Sequence, residues 1–509
     1  MSHGRDQVHD IEVGYDKDGT IRALRLVVSQ NLGAYGDPTG LGLAVLTSWM
    51  AAGAYRIPKV STSFRTVVTN TTPVAAYRGA GRPEAAFSIE RIVDRVAQAT
   101  GLDPAEVRRR NFVPPSAFPY ETHNEAVVYD SADFPAALAE SLRLVDYDTL
   151  RAEQKARRGD QSKPLLGIGL SCWLEIAGFG PNGSLEGFGH LASWESAQVR
   201  VQPDGSAIVY AGSSPHGQGH ETMLSQIASD ELGISFDRIR VITGDTAAVL
   251  QGIGTMGSRG APTAGSAVKV ASSRVLTRAK RIAAHLLEAA EEDLEVADDA
   301  FNVKGSPGKK VAWSDVAWAS FQPLRIPPEL QAGSLEERLY QESPNFSYPS
   351  GAYACVVEID RATGETKIVR MILVDDCGTV INPLLAEGQV HGGVAQGIAQ
   401  ALFEGVVYDS STGQPVTANL LDYLVPSAAD LPDYVAGRVT TLCPNNPLGA
   451  KGIGESGSVG APPAVVNAIV DALSEFGVAH IDMPVTPEKI WKAMQTGESG
   501  IGAPKDGTR

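Results

Sequence analysis

Three stretches of the chain alternate apolar and polar residues on either side of a short turn. They are IEVGYDKDGTIRALRLVV from Ile11, AQVRVQPDGSAIVYAG from Ala197 and YACVVEIDRATGETKIVRMILV from Tyr353. A period of two marks strands, and the Asp-Gly or Thr-Gly pair supplies the positive φ of a tight connection, so each stretch reads as a β-hairpin. Elsewhere the apolar positions recur at helical spacing. Pro83 to Ala99 carries Phe87, Ile89, Ile92, Val93 and Val96, opens on proline and stops at Gly101. Glu221 to Leu232 ends at Gly233 in the same way. Ala267 to Glu288 has Val275, Leu276, Ala279, Ile282, Ala283, Leu286 and Leu287 in register, and Ala464 to Phe476 repeats the stripe before Gly477. The class this predicts is α+β, with helices packed on mostly antiparallel sheets.

The polar run Arg151 to Pro164 (151–164) reads as a linker between a first unit, residues 1–150, and a second, residues 165–509. The proline-bearing stretch Phe301 to Pro349 reads as a long surface excursion. A chain of 509 residues exceeds one ordinary core and calls for more than one packed unit. Its 43 basic and 59 acidic side chains give a net charge of -16, which argues against an electrostatic grip on nucleic acid or on an anionic membrane. No signal-like or membrane-length apolar run is present, so the expectation is a soluble, cytoplasmic protein. Cys172, Cys355, Cys377 and Cys443 are widely spaced, which argues against a disulfide framework and against a zinc or iron–sulfur site in this chain.

Glycine changes the picture. Of the 53 glycines, 14 fall in four clusters that stand out: AYRGAGRPE (76–84), SPHGQGHET (214–222), GIGTMGSRGAPTAGSA (252–267) and GAKGIGESGSVGAPP (449–463). Each stands before a predicted helix, where backbone N–H groups and the helix N-terminus favour phosphate. Singly, each is equally a tight turn with a helix cap; together they point to a large anionic cofactor held by several loops. None carries a P-loop signature. Glu455, between Gly454 and Ser456, is either a general base beside a bound ligand or a carboxylate meeting a helix dipole. Lys451 and Arg259 either pair with phosphate or are solvated; Arg78 either orients a carbonyl or carboxylate or supports its turn. His216 and His220 are four apart, but Pro215 and the glycines between them keep both off one helix face, so no metal site is expected there.

The same clusters, together with VDDCGTVINPLLAEGQVHGGVAQGIAQALFE, stand in the order found in the molybdenum-binding large subunit of the xanthine oxidase and carbon monoxide dehydrogenase family, and nearly the whole chain resembles it. The resemblance implies an elongated molybdopterin-binding α+β fold with two main domains. It implies a hydroxylase that oxidises a carbon centre with oxygen from water and acts only within a multi-subunit complex. The alternative is a non-catalytic cofactor-binding fragment. Glu455 matches the family's general base and Arg78 its pocket arginine. Gln218 and Gly219 match the pair close to the pterin; Thr255, Ser258, Arg259 and Gly260 match the loop at the dinucleotide end. Gln389, Lys451, Gly452 and Gly454 match further cofactor contacts. The implied cofactor is molybdenum–molybdopterin cytosine dinucleotide, with [2Fe–2S] clusters and FAD on partner subunits.

Two departures qualify the match. Carbon monoxide dehydrogenases carry a copper-binding cysteine where this chain has Gly79, which favours an aldehyde or N-heterocycle as substrate. The family's N-terminal portion, with its GGGFG segment and a glutamine near the metal, has no counterpart here; either a separate chain supplies it or the sequence is a truncated or split gene product.

Overall fold

The computed structural model describes residues 2–178, 194–249, 251–306 and 308–497. The chain opens with the hairpin β1 (Gln7–Tyr15) and β2 (Ile21–Gly33), crosses through α1 (Pro38–Trp49) and adds β3 (Lys59–Val68) parallel to β2. Then come α2 (Arg82–Thr100), α3 (Pro104–Asn111), the short ladder β4 (Tyr120–Glu121) with β5 (Val128–Tyr129), α4 (Phe134–Val145) and α5 (Tyr147–Arg157). A long strand follows, β6 (Leu165–Leu174), then β7 (Trp194–Val201), β8 (Ala207–Ala211), α6 (His220–Leu232), β9 (Ile239–Thr243) and α7 (Ser266–Leu287). The next stretch holds β10 (Leu294–Ala297), β11 (Ala300–Val303), β12 (Lys310–Ala312), α8 (Trp313–Ala319) and β13 (Glu336–Glu342). The last part carries β14 (Ser350–Ile359), β15 (Thr366–Asp376), α9 (Pro383–Leu402), β16 (Tyr434–Arg438), α10 (Ser456–Ala472) and α11 (Pro487–Thr496).

All three expected hairpins form, as β1–β2, β7–β8 and β14–β15, with Gly19, Gly205 and Gly364 at φ of 84°, 83° and 75° in their turns. The two main sheets have strand orders β16-β15-β14-β6 and β13-β7-β8-β9. Pairing is antiparallel except at β2/β3, β8/β9 and β15/β16, so the sheets are mixed with antiparallel pairs in the majority.

The first of these sheets sets the site. Every residue of β6 is buried, because both faces of the sheet are covered. Leu166, Ile168, Leu170, Cys172 and Leu174 face one core, shared with α2 and α4; Leu165 and Trp173 face another, shared with α9 and α10. The strand's period of two therefore assigns odd positions to the α10 side. Gly167 and Gly169 are on that side, and a Cβ at either would collide with the α10 carbonyls of Ala468 and Ala464. α10 thus lies directly on the strand, and Glu175, the next odd position beyond Trp173, falls beneath its first turn. On the opposite face Arg108 ties the helices down: it bonds Glu90 at 2.7 Å and the Leu170 carbonyl at 3.0 Å, all fully buried. That fixes α2, with Arg82 at its start, against the same end of β6.

Three expectations differ from the structure. α10 begins at Ser456, eight residues before the predicted start, and runs through Pro462 and Pro463. Burial between β6 and α9 outweighs the poor helix propensity of GSVGAPP. The stretch 301–349 is not a surface excursion: Phe301 and Trp313 are fully buried, the Trp313 indole donates to the Leu232 carbonyl at 3.0 Å, and β13 completes the second sheet. The stretch expected as a linker is helical to Arg157, with Gln154 buried and Arg151 paired to Asp471 at 2.7 Å.

Candidate functional site

Four chain segments far apart in sequence meet in front of α10. Glu455 caps the helix start, and its side chain turns away from the helix, which has no side-chain cap. Its Oε1 accepts from the Gly79 backbone N–H at 2.8 Å; its Oε2 accepts from Arg82 Nη2 at 2.7 Å and from the Ser258 hydroxyl at 3.0 Å. Directly behind it lies Glu175. Its Oε1 contacts the same Arg82 Nη2 at 3.1 Å and the same Ser258 Oγ at 2.9 Å, and its Oε2 accepts from the Ser456 hydroxyl at 3.2 Å. Two carboxylates thus share one guanidinium nitrogen and one hydroxyl. Glu175 is wholly buried, whereas 16% of the Glu455 side chain remains accessible.

Electrostatics separate the two acids. Burial pushes the Glu175 carboxyl up, with Arg82 opposing and the Glu455 charge adding to the rise. Burial acts on Glu455 too, but Arg82, the Gly79 N–H, the Ser258 hydroxyl and Arg78 together hold it below the ordinary glutamate value. Glu455 is the ionised member. Ser258 takes a φ of 53°, a left-handed conformation that costs a non-glycine residue about 1–2 kcal/mol. This strained position sets its hydroxyl between the carboxylates.

Arg78 closes the front of the cluster. Its Nε donates to the Gly454 carbonyl at 2.7 Å and its Nη2 to the Gln389 carbonyl at 3.0 Å, joining the 76–84 loop to α9 and the Glu455 loop. Gln389 lies on α9 facing Gly454: a Cβ on Gly454 would stand 3.6 Å from Gln389 Oε1. Gly452 has no room for a side chain against the Ser258 carbonyl. The Gln218–Gly219 pair precedes α6, where Gln218 Oε1 accepts from the His216 N–H at 2.7 Å. Gly219, at φ of 76°, packs on Leu385 of α9, which links this loop to the helix that carries Gln389. Thr255, in the loop before α7, has its Oγ1 buried without a hydrogen-bond partner among the described residues.

Three predicted cofactor contacts have other engagements. Arg259 is neither free for phosphate nor solvated: it is 1% exposed, and Nη1 pairs with the fully buried Glu195 at 2.7 Å. Burial lowers its pKa while Glu195 supports the charge. Lys451 is likewise buried, donating to the Ser131 carbonyl and the Thr441 hydroxyl, each at 2.8 Å, with Asp376 at 3.5 Å. Gly260 packs on His220, whose Nε2 would be 2.5 Å from an added Cβ. His220 is buried and its pKa is lowered to about 4 by that burial. Among the described residues no group of three or more His, Cys, Asp or Glu side chains converges as a metal-ligand set.

Sequence reasoning missed Arg82 and Glu175. Arg82 was hidden by its position immediately before a predicted helix; Glu175 was legible only through the odd-position parity of LLGIGLSCWLE.

The loops leave features that suit a large anionic cofactor. α6 and α10 start without a side-chain cap; this leaves the first N–H groups of α6 available, while the first turn of α10, Ser456 to Ser458, is buried. Gly217 and Gly254 hold φ of 114° and 85° with no described residue within 4 Å of an added Cβ. The unpartnered Thr255 hydroxyl stands in the same loop as Gly254.

Comparison with known proteins gives these features a context. Two family models described as molybdopterin cofactor-binding domain match residues 1–112 and 140–432. The carbon monoxide dehydrogenase large chain of Hydrogenophaga pseudoflava is 42% identical over 498 residues, 96% of this chain and 61% of that protein. The nicotine 6-hydroxylase large subunit of Paenarthrobacter nicotinovorans is 34% identical, over 99% of this chain and 61% of that protein. Among solved structures, a Cu,Mo-CO dehydrogenase superposes with a TM-score of 0.91 at 38% identity, over 97% of this chain and 63% of that one. Quinoline 2-oxidoreductase from Pseudomonas putida 86 gives 0.91 at 35% identity, over 97% and 63%. The chain therefore spans about three-fifths of the length of the relatives it matches.

Proposed function

The chain belongs to the molybdopterin cofactor-binding family, in the xanthine oxidase and carbon monoxide dehydrogenase group, and from that premise we propose that it carries the general base and much of the cofactor site of a molybdenum hydroxylase. The observation that carries this reading is Glu455, an ionised carboxylate at the accessible edge of a buried cluster, in front of uncapped helix starts. The reaction is oxidation of a carbon centre in an aldehyde or N-heterocycle, with the oxygen drawn from water.

The residues that would hold the cofactor are the N–H groups at the start of α6, the Thr255 hydroxyl, and the Gln218 and Gln389 side chains; the form is the cytosine dinucleotide. When bound, the molybdenum cofactor supplies an oxygen-activating metal and a two-electron acceptor. The protein supplies the base. Glu455 Oε2 is occupied by Arg82 and Ser258, whereas Oε1 accepts, among the described residues, only the Gly79 N–H, so the free lone pair of Oε1 is where the proton would land. Arg78, anchored to two carbonyls, holds the Gly454–Glu455 backbone at this angle and keeps positive charge beside the pocket.

The neighbourhood of Gly79 supports carbon hydroxylation over carbon monoxide oxidation. Its φ is 97°, its N–H is committed to Glu455, and any Cβ would collide with Pro83. A copper-binding thiolate has no place there. All four cysteines are free thiols, which suits a reducing cytoplasm, and no helix among the described residues is long and apolar enough to cross a membrane. Partner subunits carrying [2Fe–2S] clusters and FAD would take up the electrons.

The test is purification together with the products of neighbouring reading frames, followed by metal and nucleotide analysis and a substrate screen with an artificial electron acceptor. One molybdenum and one cytidine nucleotide per chain are expected. Glu455→Gln should keep both and lose turnover by about a hundred- to ten-thousand-fold, the contribution of a positioned base. Unchanged turnover in that variant ends the assignment.

A further inference from the structure

Deepening the hydroxylase reading, on which it rests, we propose that Glu175 is a neutral, protonated acid that works as a positioning residue, fixing Glu455 as the ionised base through the Ser258 hydroxyl. The cluster holds too few hydrogens for two ionised carboxylates. Arg82 Nη2 carries two, one for Glu175 Oε1 and one for Glu455 Oε2, at 3.1 and 2.7 Å. Ser258 Oγ carries one, yet stands 2.9 Å from Glu175 Oε1 and 3.0 Å from Glu455 Oε2. A hydroxyl can donate along only one of these lines, and two ionised carboxylates accept without donating. The other line therefore needs a carboxyl proton.

That proton sits on Glu175 Oε1. Glu175 is fully buried, whereas Glu455 reaches the accessible pocket and accepts an additional backbone N–H from Gly79. The chain of bonds then has one direction: Glu175 O–H donates to Ser258 Oγ, and the Ser258 O–H donates to Glu455 Oε2. The cluster carries one positive charge on Arg82 and one negative charge on Glu455, with Glu175 neutral. No bond is made or broken in the resting state; one proton is shared by two carboxyl groups. The remaining charged or titratable groups nearby are Arg78 and Arg5, which face Glu455; Glu84, which faces Arg82; and the buried, neutral Tyr353 phenol, which faces Glu175. The Ser456 hydroxyl holds the second Glu175 oxygen.

Two groups so placed titrate as a dyad. Losing the Glu175 proton sets two like charges on one guanidinium nitrogen, takes the donor from Ser258, and raises the proton affinity of Glu455. Holding that proton keeps the base in one rotamer with one hydroxyl hydrogen aimed at it.

The experiment needs no turnover. Infrared spectra of the full chain, labelled with [13C]glutamate to separate glutamate from aspartate carboxyls, are recorded against pH. A protonated glutamate band that is absent from Glu175→Gln is expected at about pH 6, well above the ordinary glutamate range. In Glu455→Gln the midpoint of that band should fall by about one pH unit or more, because the like charge is gone while Arg82 remains. If Glu175→Gln does not fold, the midpoint shift in Glu455→Gln alone decides the matter. No labelled band near pH 6, or a midpoint unmoved by Glu455→Gln, overturns the proposal. In the assembled enzyme, Glu175→Gln should keep kcat within about tenfold of the parent and reduce the two coupled ionisations of the kcat/KM profile to one, since an amide N–H still donates to Ser258. Glu175→Ala should lose more. Spectra as expected from a chain that neither holds molybdenum nor turns over would defeat the hydroxylase reading and leave the carboxyl pair standing.

Discussion

Where α9 crosses α10, a Cβ on Gly457 would run into the backbone of Gly393 and Val394, and one on Gly397 would come 2.8 Å from the Ala461 methyl. In the loops before α6 and α7, a Cβ on Gly217 or Gly254 would meet none of the described residues within 4 Å. The two sets are equally glycine-rich in sequence. In the first, glycine removes bulk so that two helices and a strand can touch; in the second, it supplies a positive φ and leaves open space beside the backbone. An excess of glycine therefore has two physical causes here, and only the second speaks for a ligand. The helical set is flanked by Val and Ala at helical spacing, whereas the loop set is flanked by Ser, His, Gln and Thr.

Three substitutions sharpen this contrast or break it. Gly457→Ala should have the largest effect on folding, because its neighbours are backbone atoms that cannot swing aside. Overpacking of this kind costs about 1–3 kcal/mol, and a clear fall in the apparent melting midpoint is expected. A midpoint within a degree of the parent would show that the α9–α10 contact is looser than these distances require. Gly254→Ala comes next. Its φ of 85° costs a side chain about 1–2 kcal/mol, but the space around it is open. The circular dichroism spectrum should be kept while molybdenum content of the purified complex falls; full metal content would place the cofactor elsewhere. Gly388→Ala is the smallest. It sits in α9 with no neighbour within 4 Å of a Cβ, so helix propensity alone should add about 0.5–1 kcal/mol and raise the midpoint slightly.

The same distinction explains what the sequence could and could not disclose. The hairpins were legible because Asp18-Gly19, Asp204-Gly205 and Thr363-Gly364 impose their turns locally. Helix ends at Gly101 and Gly233 were legible for a similar reason, both adopting left-handed caps. The start of α10 was not, since Gly457, Gly460, Pro462 and Pro463 are helical only through what surrounds them: a Cβ on Gly460 would lie 2.6 Å from the Trp173 indole nitrogen. The stretch 301–349 was misread for the converse reason, its prolines being local signals and its core residues, Phe301 and Trp313, non-local ones. Basic side chains near glycine loops misled in the same way. Arg259 and Lys451 look like phosphate ligands until Glu195 and Asp376, distant in sequence, are seen to occupy them. Glu455 stood out because its own loop is unusual; Glu175 did not, because nothing near it in sequence marks it.

The hydrogen bond between Arg82 and Glu455 joins residues 373 positions apart, and Arg78 reaches Gly454 across 376. Contacts of that separation form only after the intervening chain has paid its loop-closure entropy. On the ribosome, the carboxylate pair cannot assemble until α10 has emerged and laid itself on β6, long after the hairpins near the start of the chain have had time to form. On the proposed reading, a cofactor could be loaded against Glu455 only after this region has been translated, and a chain stalled before Glu455 would present the earlier loops without that carboxylate.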